Sequence, residues 1–106
     1  MSIKTLFDFH FTADLDGYHS RLLSEATGMR IGDTDDLSKD TPGKGQIAPG
    51  VNIHLWRPGN EPNDWQLDAT TREADYDHAA VAACRERLFH VLPQISQAWE
   101  EKNPPE

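Results

Sequence analysis

The chain has almost no cysteine, few bases and no long apolar run, and each shortage excludes something. One cysteine, Cys84, among 106 residues cannot close an intramolecular disulfide or supply a Cys-rich zinc site, so neither holds the fold together. Ten Lys and Arg stand against 18 Asp and Glu, a formal charge of −8. That balance opposes a reader of nucleic-acid backbones, which needs a net basic face. No apolar stretch approaches the roughly 18 residues of a membrane span. The N-terminus runs from Met1-Ser2-Ile3-Lys4 into Asp8 and His10 rather than into an apolar leader core. The expectation is a cytoplasmic protein with neither membrane nor nucleic acid among its partners. The length fits one domain, 1–106, burying about 65% of its unfolded surface.

The charge that is present is segregated. Residues 1–40 and 61–77 are acidic, while 41–60 carry only Lys44 and Arg57 as charged groups. Net charge away from zero serves solubility in any small domain. Two acidic zones around a weakly basic stretch also suit steering onto a cationic partner.

Alternation opens the chain: Ile3, Thr5, Phe7, Phe9 and Phe11 point one way, and Lys4, Leu6, Asp8 and His10 the other. Period two with one aromatic face predicts a half-buried strand. Thr12 offers an N-cap, or Asp16 does so after Gly17 has delayed the start, and Leu15, Tyr18, Leu22 and Ala26 make a helical stripe ending at Gly28. A helix over about 14–27 follows. Met29 and Ile31 fit a short strand. Residues 32–50 hold four Gly, two Pro and four Asp, which predicts a long flexible loop.

Alternation returns in Val51, Ile53 and Leu55 against Asn52, His54 and Trp56, and again in Trp65, Leu67 and Ala69 against Gln66, Asp68 and Thr70. The turn formers of 57–64 join the two runs into an antiparallel hairpin. Thr70-Thr71-Arg72-Glu73 matches a capping box, and Ala80, Cys84, Leu88, Val91, Leu92, Ile95 and Trp99 form the stripe of a second helix. Pro93 predicts a kink or restart, and 103–106 a frayed tail.

The order strand, helix, strand, strand, helix predicts a small α+β domain: a largely antiparallel three-stranded sheet with two helices on one face. A right-handed crossover through the first helix places the third strand between the other two, which resembles, in topology alone, a split β-α-β motif lacking its last strand. One edge of that sheet, the Phe-rich first strand, stays open, and open edges invite a partner, a second copy or a covering loop.

The polar sides of the three strands share one sheet face, gathering Asp8, His10, His54, Trp56, Gln66 and Asp68. Imidazole beside carboxylate suits acid–base work or a divalent metal, Trp56 suits stacking or an interface, and all of them suit a merely solvated face. No cofactor or metal is implied by sequence motifs. Asp75-Tyr76-Asp77-His78 diverge around a helix axis. Asp33-Thr34-Asp35-Asp36 lacks the Gly and Glu of a calcium loop. Gly43-Lys44-Gly45 lacks the spacing of a phosphate loop and reads as a turn. Cys84, on the apolar stripe, reads as packing.

The leading expectation is an inhibitor- or immunity-type protein, named by size and charge alone, that masks a basic surface of another protein. Asp8, Trp56, Arg57, Glu61, Asp64 and Asp68 are its candidate contacts. The rivals are a small dimeric enzyme or metal-binding domain using His10, His54 and Asp68, and a structural subunit of a larger assembly.

Overall fold

The computed structural model describes residues 2–32, 34, 41–59 and 61–103. Seven elements follow in order: β1 (Lys4–Thr12), α1 (Gly17–Thr27), β2 (Arg30–Ile31), β3 (Gly43–Ala48), β4 (Val51–Trp56), β5 (Asp64–Thr71) and α2 (His78–Lys102). They build an α+β domain with two helices and one five-stranded sheet of order β1-β5-β4-β3-β2, every neighbouring pair antiparallel. β5 does lie between β1 and β4. The three-stranded expectation is corrected by β2 and β3, which extend the sheet past β4.

Part of the expected loop 32–50 is therefore strand, Gly43–Ala48. β3 was hidden because its inward positions carry Gly43 and Gly45, opposite Leu55 and Ile53, where apolar side chains would have signalled a strand. The other half of the hairpin is a tight turn at Pro49-Gly50, with Gly50 at φ 78°. Asp33, Asp35 and Asp36, and the tail beyond Asn103, lie outside the described residues.

Both helices pack on the face that carries Phe7, Phe11, Val51, Ile53, Leu55, Trp65, Leu67 and Ala69, all buried. A register shift between Thr5 and Phe7 bulges β1 and reverses its alternation. Lys4 pairs with the buried Thr71, so it leaves the side of Asp8 and His10, and Leu6 packs against the core. Helix α1 buries Leu23, Ala26 and Thr27, while Tyr18, expected on its inner stripe, is 64% exposed. The inward stripe is rotated by one position: Leu23 is buried and Leu22 only half-buried, so Leu23, Ala26 and Thr27 face the core.

Helix α2 begins at His78, with Asp77 accepting from the Ala80 N–H at 3.0 Å. The capping-box expectation at Thr70 fails because Thr70 and Thr71 complete β5. Thr71 donates instead to the Gly50 carbonyl at 2.7 Å and accepts from the Glu73 N–H at 3.1 Å, a local turn that ends the strand. α2 runs unbroken through Pro93, where the expected restart does not occur. Pro93 is on the exposed side, so water can reach the Phe89 carbonyl that the ring leaves unpaired.

Asp16 caps α1, accepting from the His19 N–H at 2.8 Å. That backbone hydrogen bond holds its carboxyl below the usual carboxylate value, with the His19 ring 3.2 Å away adding to the effect. A lowered folded value means the cap's ionic contribution is full above the unfolded range and is lost as the pH falls through the folded value. Asp16→Ala is expected to cost about 1 kcal/mol at neutral pH. Asp16→Asn keeps an acceptor and is expected to cost little there, while losing the acid-dependent part. Urea unfolding at neutral pH and near about pH 3 checks both.

Candidate open-face site

The face away from the helices is solvent-facing, and strand register places its side chains in rows. One row crosses all five strands. Asp8 on β1 stands opposite Asp68 on β5, Asp68 opposite His54 on β4, His54 opposite Lys44 on β3, and Lys44 opposite Arg30 on β2. All five are exposed or half-buried. Neighbouring strands are about 4.8 Å apart, so the row runs roughly 19 Å, from two carboxylates through an imidazole to two cations. That span exceeds the screening length of about 8 Å at physiological salt. The two ends therefore act on solution as separate patches of opposite sign.

The acidic end is the more organised. Trp56 Nε1–H donates to Asp68 Oδ2 at 2.7 Å, and Gln66 Nε2–H donates to Asp68 Oδ1 at 2.9 Å. Both carboxylate oxygens of Asp68 are thereby fixed. The next row holds His10, Gln66 and Trp56, and His10 Nε2 meets Asp64 Oδ1 at 2.5 Å. Asp8, facing Asp68, has neither an ion-pair nor a hydrogen-bond partner among the described residues. Like charges directly opposed across a sheet destabilise it by a few tenths to about 1 kcal/mol.

Of the candidate contacts, Asp8, Trp56, Asp64 and Asp68 are brought together here. Glu61 is exposed in the loop before β5 and stands apart from the rows. Arg57 is a correction: it continues the inward side of β4 and is 8% exposed. Its guanidinium lies 4.5 Å from the Trp65 ring centre, Nε–H donates to the Pro62 carbonyl at 3.5 Å, and a terminal N–H donates to the Thr34 carbonyl. It clamps the core's rim instead of presenting a charge outward.

Two cationic members of the face, Lys44 and Arg30, were not candidates in the sequence. Their signal is subtle: Lys44 and Gln46 alternate with two glycines, and Arg30 lies between Met29 and Ile31.

Comparison of the chain with protein-family models, curated proteins and solved structures gives no match. His10 and His54 sit on β1 and β4, two strands apart with β5 between, hence about 10 Å or more from each other. Among the described residues no three His, Cys, Asp or Glu side chains gather to hold a metal ion, and no helix is long and apolar enough to cross a membrane. Cys84 is fully buried, and burial pushes its thiol pKa up, which disfavours the nucleophilic thiolate.

Proposed function

We propose that this protein binds another protein through the open face of its sheet, laying the Asp8, Asp64 and Asp68 patch on a basic surface of the partner and masking it, as an inhibitor does. The observation that carries this reading is the hydrogen-bonded Trp56–Asp68–Gln66 group beside the uncompensated Asp8. An aromatic ring and a carboxylate are held in one geometry before any partner arrives, so little side-chain entropy is lost on binding. Rigid Trp beside oriented charge is what dominates binding energy at protein interfaces. Lys44 and Arg30 at the far end set direction: a partner that is basic against β1 and β5 and acidic or neutral against β3 docks one way round.

The test uses the wild-type chain, Trp56→Ala and Asp68→Ala as baits for proteins of the native host. The expected result is a basic partner retained by the wild type. Each variant should weaken it by about 2 kcal/mol, near 30-fold in Kd, and salt raised from about 0.05 to about 0.5 M should release it. A basic target whose activity returns when Asp68→Ala replaces the wild type would make the protein an inhibitor. A partner held equally by all three chains, or equally at both salt concentrations, overturns the proposal.

A further inference from the structure

We infer that β1 pairs with β1 of a second copy, antiparallel about a twofold axis at Phe9, joining two sheets into one. The seam is the sheet's edge, but it also engages Asp8 and His10 of the open face. Phe89→Glu, on α2 and away from that face, is therefore the variant that tests it independently of the inhibitor reading. β1 ends the strand order and, among the described residues, pairs with no strand but β5. Alternate residues of this nine-residue strand therefore present backbone donors and acceptors outward, the usual template for adding another strand. Beside the edge, Phe9, Phe11, Leu88, Phe89, Leu92 and Pro93 line an apolar cleft of about 240 Å³. Phe89 is 51% exposed and meets Phe9 edge-on at 5.5 Å between ring centres. An apolar cleft along an unpaired edge is one that proteins normally cover.

The sequence of β1 identifies a second copy as the cover. Opposed residues in an antiparallel pair share a sheet face, so keeping both copies' helices on one side requires the axis to pass at a residue. An axis at Asp8 sets Asp8 against the partner's Asp8, two like charges. An axis at His10 sets His10 against the partner's His10 and leaves Asp8 facing the partner's Thr12. An axis at Phe9 sets Asp8 against the partner's His10 and His10 against the partner's Asp8 on the open face. On the helix side it sets Phe9 against the partner's Phe9 and Phe7 against the partner's Phe11. Of these three registers only this one sets imidazole against carboxylate on one face and keeps aromatic rings continuous on the other, and symmetry makes each Asp8–His10 pair occur twice. It also brings the two Phe9–Phe89 ring pairs together at the axis, closing the clefts. His10, already 2.5 Å from Asp64, would then lie between two carboxylates.

Light scattering after size exclusion is expected to give twice the chain mass for the wild type. Asp8→Lys and Phe89→Glu, both at exposed positions, are expected to give the monomer mass with unchanged circular dichroism. Register is read from three single-cysteine variants, Asp8→Cys, Phe9→Cys and His10→Cys, under mild oxidation. Directly opposed Cα atoms lie about 4.5–5.5 Å apart, within disulfide reach, while diagonal ones lie about 7–8 Å apart. Phe9→Cys is expected to cross-link fastest; the native thiol, Cys84, is buried and does not compete. A monomeric wild type, or a dimer that survives both charge variants, overturns the inference. Faster cross-linking of Asp8→Cys or His10→Cys overturns the register.

Discussion

Trp65→Ala is expected to lower the stability of the fold by about 3–5 kcal/mol, out of the 5–15 kcal/mol typical of a whole domain (roughly). The indole is 1% exposed, and its Nε1–H donates to the Ala13 carbonyl at 3.0 Å. Truncation leaves a cavity, a buried carbonyl without its donor, and the Arg57 guanidinium without the ring 4.5 Å beneath it. That arginine also ties the end of β4 to the Pro62 loop and to Thr34, so the loss spreads to the rim of the sheet. Asp64 and Gln66 flank Trp65 on β5 and are the open-face residues that meet His10 and Asp68. The acidic patch therefore depends on a ring that it never touches. Trp65→Phe keeps a ring under Arg57 and loses mainly the Ala13 hydrogen bond, with an expected cost of about 1–3 kcal/mol. Urea unfolding followed by circular dichroism separates the two. A Trp65→Ala cost below about 1 kcal/mol would contradict this account of the core.

Where apolar side chains alternate, the sequence discloses its structure. Phe7, Phe9 and Phe11, then Val51, Ile53 and Leu55, then Trp65, Leu67 and Ala69 placed three strands and their order, because burying one face of each leaves few arrangements. Gly28 marked the end of α1 and holds φ 75° there. Three features were obscure for physical reasons. The bulge at Leu6 depends on fitting β1 against β5, a pairing distant in sequence. Arg57 resembles a surface charge until Trp65 is folded beneath it. β3 carries glycine where a strand normally carries its apolar face, and composition then reads as loop. The candidate site was legible for Asp8, Trp56 and Asp68, which lie on strongly alternating strands. Its cationic half was not: Lys44 belongs to β3, the strand that composition concealed, and Arg30 to a short strand that was expected near Met29 and Ile31 but not placed in the sheet.

The same glycines give the last large effect. Gly45→Ala is expected to cost about 1–3 kcal/mol, and Gly45→Val more. A Cβ there would lie 2.9 Å from the Met29 Cα and 3.3 Å from the Gly28 carbonyl oxygen. Both obstacles are backbone, so no rotamer change relieves the clash. The chain leaving α1 crosses directly over β3, and only a residue without a side chain lets it come that close. Relief requires β3 to move away from Met29, which pulls on β2, the neighbour that follows Met29 in sequence. β1, β5 and β4 pair among themselves and hold most of the core. The expected result is a destabilised chain whose amide exchange rises first in β2 and β3, while the Trp56–Asp68–Gln66 group persists. Such a variant separates the two ends of the charged row. If orientation of the partner depends on Lys44 and Arg30, Gly45→Ala keeps the attraction to a basic surface but loses the preference for one docking direction. Uniformly raised exchange across all five strands would instead mean that the sheet unfolds as one unit, with no separable cationic edge.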